Sequence, residues 1–251
     1  MQARPLLIAL ILLGVLVLLL PRSVEAGQLK VSPIRLDLRA EEPISTVTVS
    51  NSADEPVLLH LSVQAWDHTT GNDRYLDTRD LLLNPMIFEL GPGQQQLVRI
   101  GLARPLSNER ERAYRLFIRE VPQQAHQKTR QITTVLNLSL PVFVAPEQAD
   151  APLLIWRLEQ TSATRLALQV ENRGNLHAVV STIALQRQSG ESLASIDRRF
   201  YVLPGQARRW DVPGSLAGPD ESVTLTASSR RGPLQAALSL GVSTTVEEAL
   251  R

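Results

Sequence analysis

The chain has 251 residues, with 26 basic and 25 acidic side chains and no cysteine. That near-neutral balance excludes a nucleic-acid footprint, which needs a basic excess or a clustered basic face. The lack of cysteine excludes a disulfide-stapled scaffold and any thiolate metal site.

The first 26 residues read as an export leader. Arg4 precedes an apolar or glycine run from Leu6 to Leu20, Pro21 breaks it, and Val24-Glu25-Ala26 places small residues where a signal peptidase reads them, so the mature start is expected at Gly27. An uncleaved anchor is the alternative, although the run is shorter than the ~20 residues of a spanning helix. The remaining 225 residues carry 24 basic and 24 acidic side chains and suit two domains of ordinary size. An exported chain without disulfides points to a bacterial periplasm.

From Leu29 to Val144 short β-rich runs alternate with turns. The spacing predicts strands within Leu29 to Arg39, Thr46 to Ser50, Val57 to Trp66, Met86 to Leu90, Gln96 to Leu102 and Ala113 to Val121, with a polar loop from Asp67 to Arg79. The seventh is Ile132 to Phe143. There Ile132, Leu136, Leu138, Leu140 and Val142 share one parity, while Thr133, Asn137 and Ser139 take most of the other, the period-2 signature of a strand with one apolar face. Pro141 has no N–H to give a ladder, which places this strand near a sheet edge. An apolar edge strand needs a cover, and here the expected cover is another protein.

Ala145 to Pro152, with Pro146 and Pro152 in it, reads as a short stiff linker. A second β-rich set follows: Leu153 to Leu158, Arg165 to Glu171, His177 to Gln186, Leu193 to Tyr201, Ser222 to Ser228 and Leu234 to Leu240. The fold class is therefore all-β: two sandwiches, residues 27–146 and 147–251, joined by a stiff elbow with a cleft between them.

Enzyme chemistry finds little support. His60, His68, His126 and His177 are dispersed, without the close pairing of metal ligands. No Gly-x-Ser-x-Gly elbow and no Gly-x-x-x-x-Gly-Lys phosphate loop occurs. The expectation is no enzyme, no cofactor and no metal.

Several segments together resemble the PapD-like periplasmic chaperones that assemble pili and fimbriae with an outer-membrane usher. These are Ser32-Pro33-Ile34-Arg35-Leu36, Asn84-Pro85-Met86-Ile87-Phe88 with Gly91-Pro92-Gly93, Ala113-Tyr114-Arg115-Leu116 leading to Arg119-Glu120-Val121-Pro122, and Leu140-Pro141-Val142-Phe143-Val144. In the second half Glu171-Asn172-Arg173-Gly174-Asn175 and Leu203-Pro204-Gly205 also fit. The resemblance implies two immunoglobulin-like β-sandwich domains set as a boomerang, and a chaperone that lends a strand to an incomplete pilus subunit.

It also assigns roles. The donor side chains would be Ile132, Thr134, Leu136, Leu138 and Leu140. Arg35 would hold the subunit's terminal carboxylate, a task suited to a guanidinium fork. The family's second anchor, a lysine in the last strand, has no counterpart in Ser139-Leu140-Pro141. Arg115 is the substitute, either a cleft ligand or an outward, solvated arginine. Glu120 would pair across the elbow, although the family's arginine before the linker is here Ala145 and its partner is left open between Arg119 and Arg157. A stand-alone surface or adhesive β-sandwich is the alternative reading.

Overall fold

A computed structural model describes residues 29–68, 72–106, 109–122, 135–218 and 221–247. Its regular structure is β throughout. The first ten strands are β1 (Leu29–Ser32), β2 (Leu36–Leu38), β3 (Ile44–Asn51), β4 (Val57–Asp67), β5 (Arg74–Asp77), β6 (Leu81–Asn84), β7 (Ile87–Leu90), β8 (Gln95–Leu102), β9 (Arg112–Glu120) and β10 (Asn137–Val144). They form two facing sheets, ordered β1-β3-β8-β6 and β2-β10-β9-β4-β5, with β7 also on β4. Alternation drives the assembly. Val47 and Val49 from β3, Val98 and Ile100 from β8, Leu59 and Leu61 from β4, and Tyr114, Leu116 and Ile118 from β9 all turn inward and are buried in one core.

The second unit contains β11 (Leu153–Ser162), β12 (Arg165–Asn172), β13 (Ala178–Arg187), β14 (Ser192–Ile196), β15 (Phe200–Val202), β16 (Ala207–Pro213), β17 (Ser222–Ser229), β18 (Gly232–Ser239) and β19 (Ser243–Glu247). One sheet runs β16-β12-β11-β19 and the other β14-β13-β17-β18, with β15 on β13. Trp156 fills the middle of this core, opposite Val170 in the β11–β12 register and fully buried. Two β-sandwiches are therefore present, as the alternation of the sequence implies.

Several features differ from the sequence expectation, among them the predicted strand Leu193 to Tyr201, which is divided into β14 and β15. The stretch around Pro33 is two strands instead of one: β1 pairs antiparallel with β3, whereas β2 crosses to the other sheet and pairs parallel with β10. The expected loop from Asp67 to Arg79 contains β5, held on β4 through Ala65↔Leu76 and Trp66↔Tyr75. Strands β6, β16 and β19 were not expected either. These short elements owe their extended form to the strand beside them more than to their own composition.

Each sandwich rests on one buried asparagine at a strand end. In the first, the Asn51 amide donates to the carbonyls of Glu55 (2.8 Å) and Leu90 (3.0 Å). In the second, Asn172 donates to the carbonyls of Leu176 (2.7 Å) and Val202 (2.9 Å) and accepts from the N–H groups of Leu153 (3.2 Å) and Gly174 (3.0 Å). Such bonds spare buried backbone groups the cost of being left unpaired. Gly174 completes the corner, since a Cβ there would lie 2.7 Å from the Leu153 nitrogen. Asn172→Ala is expected to cost about 3 kcal/mol, lowering the thermal midpoint of the second sandwich by on the order of 10 °C. Calorimetry of the variant against wild type measures this, and an unchanged midpoint would contradict the role given to the amide.

Candidate functional site

Strand β10 is anchored at one end and open at the other. Along its whole length, from Asn137↔Arg119 to Val144↔Arg112, it pairs with β9. On its other side β2 covers only Val142, Phe143 and Val144. Among the described residues, no strand pairs with that second edge from Asn137 to Pro141. Such a half-open edge presents backbone groups that can take an added strand.

The donor side chains expected from the sequence are divided by this geometry. Leu136 is 36 % exposed, with Val135 beside it at 45 %. Leu138 packs partly against the core, and Leu140 is only 5 % exposed within it, together with Val142 and Val144. Leu140 is therefore corrected from donor to core residue: the parity that makes it apolar also points it between its own two sheets. Ile132 and Thr134 lie outside the described residues.

Glu120 is placed differently from the expectation as well. Its carboxylate accepts the Leu136 N–H at 3.0 Å, and its own N–H donates to the Leu136 carbonyl at 2.9 Å. It therefore clamps the entry to β10 instead of bridging the elbow. Arg157, one of its two candidate partners, donates to Ser243 Oγ at 2.8 Å.

Arg35 and Arg115 flank the same point of β10. Arg115 lies opposite Pro141 on β9, and Arg35 precedes Leu36, which pairs with Val142. Both sit on the outer face of the sheet. The Arg35 guanidinium binds Asp37 at 2.6 Å, lies 5.1 Å from the Phe143 ring centre, and lines an interdomain cleft of about 780 Å³. Arg115 stacks 3.8 Å above Trp66 and lies 5.5 Å from Tyr201, with its buried Nε lacking a hydrogen-bond partner. Burial pushes its pKa down, against the opposing influence of Tyr75, Tyr201 and Asp73. The two cations open onto different hollows, since Arg115 lines a second concavity of about 330 Å³.

Between them the two sandwiches meet in an aromatic cluster. Trp66, Ala113 and Phe143 from the first pack with Leu203 and Tyr201 from the second. The His177 ring stacks on Phe143 with centres 3.8 Å apart and planes within 8°. Several polar contacts cross the boundary, two clusters of them around Glu111 and Asp73. Glu111 receives the His177 backbone N–H at 3.2 Å and lies 2.6 Å from His177 Nδ1, both side chains being buried. Asp73 accepts from Trp66 Nε1 and His68 Nε2, each at 2.9 Å, and from Arg208 of the second sandwich. These interdomain residues were missed because His68 and His177 read as isolated in sequence; Glu111 is 66 positions from its partner. Among the described residues, no group of three or more His, Cys, Asp or Glu could hold a metal ion.

Comparison with known proteins places the chain. Residues 28–150 match the family described as pili and flagellar-assembly chaperone, PapD N-terminal domain. No curated protein matches the sequence. Among solved structures, the chain resembles one from the CsuC–CsuE chaperone–tip adhesion subunit pre-assembly complex of the archaic chaperone–usher Csu pili of Acinetobacter baumannii, with TM-score 0.67 and 18% identity over 86% of this chain and 100% of that one. It also resembles one from the Salmonella enterica SafA pilin–SafB chaperone complex (TM-score 0.59, 19% identity, 86% and 99% covered). A third is the E. coli chaperone DraB (0.55, 17%, 89% and 96%). The first sandwich therefore matches the PapD N-terminal-domain family, and the chain as a whole has the fold of these pilus chaperones.

The polar elbow makes stability pH-dependent with a definite sign. Burial lowers the His68 pKa below its ordinary 6.5, the pull of Asp73 notwithstanding. Below that value the unfolded chain takes up a proton that the folded chain refuses, so stability falls as pH drops from 6.5. For Asp73 burial works upward, but hydrogen bonds from His68 and Trp66 and the Arg208 charge outweigh it and hold the carboxyl well below its usual range. Its contribution is present above about pH 4 and is lost only in stronger acid. Urea unfolding of wild type and His68→Gln at pH 7 and 5.5 tests the first effect: the wild type should lose more stability than the variant across that interval, and equal losses would rule out a buried neutral His68.

Proposed function

We propose that this chaperone works in the periplasm by lending the open edge of β10, with the chain leading into it, to a pilus subunit that lacks a strand, and then hands the subunit to an outer-membrane usher. The observation that carries this reading is the half-covered edge: Asn137 to Pro141 pair with β9 on one side and, among the described residues, with no strand on the other, with Leu136 exposed at the entry. Backbone pairing along such an edge supplies affinity for any complementary strand, and side chains inserted into the partner set the register. A leucine fully buried in the partner contributes roughly 1.5–3 kcal/mol.

Arg35, beside the unpaired side of β10, is the first candidate to receive a carboxylate at the end of the client strand, and Arg115, across β10 on β9, the second. Engagement of Arg35 requires it to share or exchange its Asp37 contact. Arg115 is partly buried, so a carboxylate there meets a cation with less water to remove than one on the open surface. Residues 1–26 act in this reading as a cleaved export leader.

Co-expression with a cognate subunit tests strand lending. Leu136→Asp should reduce subunit recovery at least tenfold while leaving the thermal midpoint within a few degrees, because this side chain is outside the core. Leu138→Asp should also abolish recovery, but with a measurable loss of stability from its partial core contact. Normal recovery with Leu136→Asp would overturn the donor assignment.

A further inference from the structure

The concavity beside Arg115 contains more positive charge than its own contacts use. It is lined by Arg115, Arg198, Arg199, Arg208 and Arg209, with Asp73 as its acidic side chain. Asp73 is engaged by Arg208, and Arg209 pairs with Glu159 outside the hollow at 2.9 Å. Arg115, Arg198 and Arg199 form no ion pair among the described residues, and Arg198 and Arg199 are exposed. They come from different sandwiches: Arg115 from β9, Arg198 and Arg199 from the turn between β14 and β15. Like charges gathered without counter-charge repel one another, and a bound anion would relieve that repulsion.

The shape and lining narrow the kind of anion. A hollow of about 330 Å³ accommodates a few side chains but not a nucleic-acid duplex. Tyr201 and Trp210, both partly exposed, also line it and offer flat apolar surface to the methylenes of a long acidic side chain. Guanidinium groups match carboxylates with paired, planar hydrogen bonds. Trp66 on β4 and Arg115 on β9, which line the hollow, belong to the same sheet as β10.

We propose that this concavity is a second client site, binding an acidic peptide segment of the subunit through side-chain carboxylates that pair with Arg198, Arg199 and Arg115. The site lies apart from the strand edge and meets the terminal-carboxylate contact at Arg115, and the identity of the carrier rests on the strand-lending reading. It brings the second sandwich into client recognition and makes capture more salt-sensitive than strand pairing alone.

The probe is a fluorescein-labelled octaglutamate amidated at its C-terminus, titrated into the purified protein by fluorescence anisotropy, with octaglutamine as control. Octaglutamate should bind and octaglutamine should not. Arg198→Gln with Arg199→Gln should weaken binding at least tenfold at an unchanged thermal midpoint, and Leu136→Asp should leave it intact. The assignment is overturned if the double variant binds equally well, if Leu136→Asp also loses the peptide, or if inorganic phosphate, phosphatidylglycerol vesicles or single-stranded DNA compete as strongly as unlabelled peptide. Client capture that survives Leu136→Asp would sink strand lending while leaving the peptide result standing.

Discussion

Three residue pairs decide what this molecule can offer a partner. Among the described residues, the second edge of β10 is closed only at Val142, Phe143 and Val144, by the parallel contact of β2. Had β2 been longer, the edge would be sealed and the sandwich complete. Had it been absent, the whole of β10 would stand as an open apolar edge, an aggregation hazard. The observed compromise holds the strand by Leu140, Val142 and Val144 in the core and leaves its entry accessible. Glu120 adds to this by fixing Leu136 from the side already paired.

The second constraint is the elbow. A cluster built from Trp66, Phe143, His177 and Tyr201 joins the sandwiches, and buried polar pairs orient it. Apolar contact alone would tolerate many relative angles, because it is non-directional. The Glu111–His177 and Asp73–Arg208 contacts require particular geometry, so they select one. Asn175 extends the same control to the linker, donating to the Gln148 carbonyl at 2.6 Å and accepting the Asp150 N–H at 2.9 Å. Arginines from both halves thereby face one cleft, which neither sandwich could form by itself.

Much of the fold was legible in the chain. The alternation in β3, β8, β17 and β18 survives directly as inward and outward rows, because a strand's side-chain period is a property of its backbone. Arg35 and Arg115 could be singled out as cations within otherwise apolar extended runs. The fate of the apolar face of β10 could not be read in the same way. Leu136, Leu138 and Leu140 look equivalent in sequence, yet one is exposed, one half-covered and one buried.

Composition and period by themselves determined the all-β architecture, the two-part division and the candidate strand, because these follow from local alternation and turn chemistry. Tertiary structure alone decided which leucines face the core, that Glu120 serves β10, and that Glu111 and His177 join the halves. Those outcomes depend on contacts between residues far apart in the chain, and no local pattern encodes where another strand stops or which distant side chain arrives beside it.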